Sequence, residues 1–142
     1  MNVVDSPGSL EYFADGPSAG FFASAIAKTD ALIVPTLNLH EEFTRVLQQR
    51  DDNAALNAVA LMQQATVVDL SAPFALSAAA PGAPLKRPLE DRVLYATARA
   101  YEATLWTQTS MGSPRSLPRG RAPQVAVQRR LVLTVTAGKR RR

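Results

Sequence analysis

The chain has 142 residues, one domain's worth, and its 46% apolar and 6% aromatic content is that of an ordinary globular protein with a real core. It has no cysteine, which excludes a disulfide framework, a thiolate zinc site and a thiol nucleophile. The net charge of +4 hides a division: nine of the 16 basic residues and none of the 12 acidic ones follow Gln108, so an acidic body precedes a strongly basic tail.

Asn2–Val4 reads as a first strand, with Asp5 and Ser6 at its carboxyl end. Ser9–Phe13 is a short amphipathic turn or helix, halted by Asp15-Gly16-Pro17. Pro17 suits the first turn of a second helix, whose Phe21, Phe22, Ala25 and Ile26 share one face. Ala31–Val34 is fully apolar, the pattern of a strand buried on both faces of a parallel sheet, and Pro35 closes it. Thr36 or Asn38 can cap the helix that runs to about Gln49. Asp51–Asn53 caps another through Gln64, with Leu56, Val59 and Ala60 as its apolar stripe. Thr66–Leu70 is a third strand, residues 72–80 an Ala-rich helix, and the proline-rich 81–88 a loop. A helix from Leu89 to Tyr101 and a strand over Ala103–Thr107 complete the body.

Strands alternating with helices at this spacing predict an α/β fold with a mostly parallel sheet. Phe21, Phe22 and Trp106 belong to its core. The domain ends at residue 108. Residues 109–142 form a Pro/Arg-rich basic tail without usable periodicity, expected to be poorly ordered, in which only Val125–Val127 and Leu131–Thr136 look like strands. No apolar stretch reaches the ~20 residues of a membrane span. The start of the chain lacks the charged-then-apolar pattern of a signal peptide, so a cytoplasmic protein is expected.

Asp5 follows strand one, Glu41 lies in the first turns of the helix after strand two, and Asp91 opens the helix before strand four. A doubly wound sheet converges such positions on its carboxyl edge, where open α/β sheets bind ligands. Taken singly, each acid has an ordinary reading as a cap or a favourable helix N-terminal charge. Taken together, clustered carboxylates repel one another and either raise their pKa values or take up a cation. All-oxygen ligands suit Mg²⁺ or Mn²⁺, ions that serve phosphoryl chemistry. His40, the lone histidine, reads as a solvated helix residue and offers no hydrolase triad. Glycine-rich phosphate loops are absent, which counts against a nucleotide cofactor.

Asn2-Val3-Val4-Asp5-Ser6, Ile33-Val34-Pro35-Thr36 and His40-Glu41-Glu42-Phe43 resemble PIN-domain proteins. The resemblance is closest over Pro88–Arg99 and Thr104-Leu105-Trp106-Thr107-Gln108, and it covers residues 1–108 in the size and order of VapC-type toxins. It implies a three-layer α/β/α sandwich and a metal-dependent endoribonuclease, inhibited by a partner antitoxin and usually dimeric. It implies Asp5, Glu41 and Asp91 as the catalytic acids. Asp5 and Asp91 would hold Mg²⁺, with Mn²⁺ as a substitute, Glu41 would complete or position its water shell, and Ser6 would support Asp5.

Three positions depart from the pattern. Thr109 stands where the family has an aspartate, and Pro7 and Arg92 stand where small polar residues are usual; Arg92 could pair with Asp91 or meet an RNA phosphate. Two function classes follow: a ribonuclease toxin, or a catalytically impaired remnant that only binds antitoxin or nucleic acid. The basic tail supplies salt-dependent phosphate attraction and no base-reading element. The last strand of the fold is expected to be lost or replaced.

The departure at Thr109 has a codon-level explanation. Thr109–Pro114, preceded by one extra G and regrouped, reads as Asp, an apolar residue, a codon compatible with Asp, Gly and another apolar residue. The family continues in that way, as Asp-x-Asp-Gly-Leu. A frameshift after Gln108 is therefore expected, and sequencing the locus should find a PIN-type ending in the neighbouring frame. A neighbouring frame without that ending rejects the idea.

Overall fold

Successive residues of a strand point to opposite faces of its sheet, and the first strand, β1 (Asn2–Val4), buries both faces. In the computed structural model, which describes residues 1–79 and 88–108 and the backbone of Val125–Val127, Val3 packs in one cluster with Ile33, Leu94, Ala98 and Leu105. Val4 packs in another with Phe22, Ala25, Ile26, Leu32 and Val34. Each such side chain taken from water is worth about 1.5–3 kcal/mol, so two cores are pinned to the two faces of a three-residue strand.

Beyond β1 the strands are β2 (Ile33–Pro35), β3 (Thr66–Val68), β4 (Thr104–Thr107) and β5 (Val125–Val127). All described pairings are parallel: β1 with β4, β4 with β5, and β2 with β3. A bridge between Asn2 and Leu32 joins the two ladders, which gives the order β3-β2-β1-β4-β5 with β1 in the middle. The helices are α1 (Ser6–Phe13), α2 (Ala19–Ile26), α3 (Thr36–Gln49), α4 (Asp52–Met62), α5 (Ala72–Ala79) and α6 (Leu89–Ala100). α2 contributes Phe22, Ala25 and Ile26 to the Val4 side of the sheet, and α6 contributes Leu94 and Ala98 to the Val3 side. α3 and α4 pack together through Val46, Ala55 and Ala58, with Leu10 and Phe13 of α1 against them. This is the expected α/β/α layering, and among the described residues no helix is long and apolar enough to cross a membrane.

Four local expectations are corrected. A 3₁₀ turn over Thr29–Ala31 takes the start of the second apolar run, and Pro35 lies inside β2 instead of closing it. Neither Thr36 nor Asn38 caps α3: Pro35 is the residue before it, and Asn38 is a buried residue of the helix itself. The apolar stripe of α4 is Ala55, Ala58 and Met62, while Leu56 is 57% exposed. Small alanines face α3 there because the helices approach closely, so side-chain size, not apolarity alone, sets the buried face. The expectation of a replaced last strand is borne out, since Val125–Val127, read as strand-like, pairs beside β4. The remainder of residues 109–142, including the strand-like Leu131–Thr136 and the expected disorder, lies outside the described residues.

Helices α1 and α6 end in the same way. Gly16 N–H donates to Glu11 O at 2.9 Å and Ala103 N–H to Ala98 O at 2.8 Å, while Asp15 and Glu102 donate to Tyr12 O and Arg99 O. These are Schellman closures, whose pivot residue must be left-handed. The pivots are Asp15 at φ 51° and Glu102 at φ 49°, not glycines. A glutamate has no local hydrogen bond to offset the steric penalty of that region. Replacing Glu102 with glycine should therefore raise the unfolding free energy by about 1 kcal/mol, read by urea denaturation.

Candidate functional site

In a parallel sheet every strand delivers its carboxyl end to the same edge, and the following helices begin there. β1 ends at Asp5 and β2 at Pro35, so α1 and α3 start side by side, and the first turn of α6 joins them. Asp5 is 4% exposed and caps α1: its Oδ1 accepts the Gly8 N–H at 2.7 Å. The Thr107 hydroxyl and the Gln108 N–H, from the end of β4, also bond its carboxylate. The ordinary cap reading of Asp5 is thus realised, and the same carboxylate faces Asp91 electrostatically. Burial raises the Asp5 pKa against the lowering effect of these hydrogen bonds, and Asp91 adds to the rise. Gly8 is required at this corner, because a Cβ there would stand 2.5 Å from the Phe22 ring and 2.8 Å from Asp5 Oδ1.

Ser6, fully buried, is the hub of the second half of the site. Its hydroxyl donates to Glu41 Oε2 at 3.4 Å and stands in short contact with Glu90 Oε1. Asn38 Nδ2 donates to Ser6 Oγ at 3.1 Å and to Glu90 Oε1 at 3.3 Å. Glu41 and Glu90 interact directly, and burial, then Glu41, pushes the Glu90 pKa up to about 7. Glu41 is held low, by Glu90 first and then by Arg45, whose guanidinium approaches Glu41 Oε1 to 2.9 Å.

The structure therefore places Asp5 with Asp91, and Glu41 with Ser6, at one sheet edge. His40 is exposed, as read from its position. With Glu41, Arg45, Leu89 and Glu90 it lines a cleft of about 580 Å³ that opens from the acids. The Arg92 Nε is buried without a hydrogen-bond partner. Among the described residues, no three carboxylate or imidazole groups are arranged around a common ion position.

Three residues of the site were not read from the sequence: Asn38, Glu42 and Glu90. Asn38, Glu42 and Val46 are the buried residues of α3, four apart, and that spacing would have placed two polar groups on its inward face. Glu90 sits beside Asp91, and its inward turn has no sequence signal. Glu42 is the most costly of the three. It is fully buried, and neither carboxylate oxygen has a hydrogen-bond partner. Burial, then Glu90, Glu41 and Asp5, pushes its pKa up to about 9, with Arg45 opposing.

A folded pKa raised from 4.5 to about 9 means that the native state holds the proton more tightly than the unfolded chain. Its contribution to stability is complete below pH 4.5 and is lost as pH rises through about 9. Glu42→Leu should flatten that decline and stabilise the chain at pH 8 by about 1–3 kcal/mol, measured by denaturation across pH.

Neither the family models nor the curated proteins give a match to this sequence. Solved structures do. A toxin–antitoxin complex from Klebsiella pneumoniae superposes at TM-score 0.63 with 14% identity, over 82% of this chain and 100% of that one. VapBC2 from Rickettsia felis, bound to a DNA fragment of its promoter, gives 0.59 with 15% identity, over 76% of this chain and 87% of that one. VapC20 of Mycobacterium tuberculosis, a toxin that cleaves the sarcin-ricin loop, gives 0.59 with 16% identity, over 74% and 87%. The α/β fold built around β1 is thus similar to that of VapC-type toxins.

Proposed function

We propose that this chain is a metal-dependent endoribonuclease toxin, paired with an antitoxin, that cleaves RNA phosphodiester bonds at the carboxyl edge of its sheet. The observation that carries the reading is the acidic sheet edge, where buried Asp5 at the end of β1 lies within electrostatic reach of Asp91 at the start of α6, inside a VapC-like fold. Residues so far apart in sequence gain nothing structural from placing like charges together. The VapC20 toxin cleaves the sarcin-ricin loop, and two of the neighbours are toxin–antitoxin assemblies, which supports an RNA substrate and an antitoxin partner. A homodimer in the cytoplasm completes the proposal.

The donor set has the chemistry of a Mg²⁺ or Mn²⁺ site: hard carboxylate oxygens, with the orphaned oxygens of Glu42 behind them. Asp5 and Asp91 would hold the ion, and Glu41 would orient its water. A divalent ion there supplies charge neutralisation at the phosphate and a water of lowered pKa. Asp5 is held rigidly for that task by Gly8, Thr107 and Gln108, and Ser6 fixes Glu41. The exposed Arg45 beside Glu41 is placed to meet a phosphate.

A second reading rests on a specific observation. Among the described residues no three acids are arranged around an ion position, and Glu41 and Glu90 interact with each other instead. A chain locked in that state would bind antitoxin without cleaving. An RNA cleavage assay with Mg²⁺ or Mn²⁺ separates the two. Cleavage is expected, stopped by a chelator and reduced to the no-protein background in Asp5→Asn and in Asp91→Asn. Intact antitoxin binding with no cleavage by the unaltered chain would establish the second reading instead.

A further inference from the structure

We propose that the cleft along α3 holds an unpaired stretch of the RNA, next to the phosphate that is cut. The proposal rests on the ribonuclease reading and says where the substrate lies beyond the scissile bond. The cleft, of about 580 Å³, follows one stripe of α3, on which Leu37, Glu41, Thr44 and Gln48 recur at steps of three or four residues. At about 1.5 Å of rise per residue the stripe is about 16 Å long. Glu41 joins it to the sheet edge, because its Oε2 accepts from the Ser6 hydroxyl beside Asp5. Whatever occupies the cleft therefore adjoins the reacting phosphate, which is the place of the substrate itself.

The lining has the chemistry of a nucleotide strand. Past Glu41 the described part of the α3 wall adds no acid, only Thr44, Arg45 and Gln48. The Arg45 guanidinium, with its side chain 52% exposed, offers charge to a backbone phosphate. Gln48 and His40, both exposed, carry donors and acceptors, and the Thr44 hydroxyl donates to His40 O at 2.9 Å, which leaves its oxygen to accept. Such a mixed set matches the edges of nucleobases. Leu37 from α3 and Leu89 from α6 add an apolar wall, and Leu89 is 59% exposed at the rim of this polar cleft. A base face covers a wall of that kind, and only an unpaired base presents its face and its edge at once. In a duplex both are occupied by stacking and pairing, so single-stranded RNA is the occupant that fits.

Fluorescence anisotropy tests this with the full chain, Mg²⁺ and 5′-labelled phosphorothioate RNA dodecamers, whose linkages resist hydrolysis. Single-stranded RNA should bind about tenfold tighter, or more, than the same sequence held in a duplex. The double variant Thr44→Ala/Gln48→Ala should weaken single-strand binding about fivefold or more, and Leu89→Ser, from the other wall, by a similar factor. Asn57→Ala, at an exposed position of α4 outside the cleft, should leave it unchanged, and thermal melting should show all variants folded. Binding by both cleft variants within about twofold of the unaltered chain overturns the proposal, as does a duplex that binds as tightly as the single strand. If the unaltered chain still cleaves RNA in that case, the ribonuclease reading stands without the cleft. An unaltered chain that neither binds nor cleaves RNA removes both.

Discussion

A carboxylate buried among other carboxylates raises the energy of a folded chain until a proton or a cation neutralises it. Asp5 and Glu42 meet this condition at one sheet edge, with the half-buried Glu41, Glu90 and Asp91 beside them, and much of the surrounding structure is explained by it. Asp5 is given three hydrogen bonds from backbone and hydroxyl groups, which favour its charged form. Glu41 is given Arg45 and Ser6, and its interaction with Glu90 also holds its pKa low. Glu42 is given nothing, and it is the residue that takes up its own proton. Burial outweighs that support at Asp5, whose pKa is still raised, while the less buried Glu41 is held low and Glu42, without support, is pushed up to about 9.

The rigidity needed to keep such groups together comes from apolar packing, not from the polar network. Val3 and Val4 are anchored in separate cores on either face of the sheet, and the peptide after them is held by Asp5 N–H donating to Trp106 O at 3.0 Å. Trp106 is fixed in turn by its Nε1–H on Asn2 Oδ1 and by the Phe21 ring, 5.0 Å away. Asp5 cannot drift from the edge without unpacking both cores. α6 brings Glu90 and Asp91 with the same authority, since Val93, Leu94 and Ala98 are buried immediately behind them. A binding edge of repelling charges is held by two hydrophobic layers whose burial does not depend on it.

How much of this was legible in the sequence follows from the range of the forces. Apolar periodicity is local, and it located nearly every element, because β1 and β2 are short runs buried on both faces and β4 alternates between buried and half-buried residues. Size complementarity is not local: the stripe on α4 was misread because Ala55 and Ala58 are chosen by the nearness of α3, not by their own apolarity. Asp5 was recognisable because it ends a strand, and strand ends converge by topology. Asn38 and Glu90 were not recognisable, because their roles depend on side chains meeting across α1, α3 and α6. Asn38 was taken for a cap because asparagine is a good one; in the structure its polar group serves the site and not the helix end.

The basic tail, so different in composition from the body, reaches the acidic edge through the sheet. β5 pairs with β4 over Leu105–Thr107, matching Val125 to Leu105 and Val127 to Thr107. Without a neighbour on that side β4 would be an edge strand, with one row of its backbone groups unpaired and its end free to fray. The end in question carries Thr107 and Gln108, which bond the Asp5 carboxylate. Three residues of the tail thus close the ladder that holds two of the groups charging Asp5. Whatever its origin, the segment after residue 108 bears on the site through Val125–Val127, the strand that flanks β4.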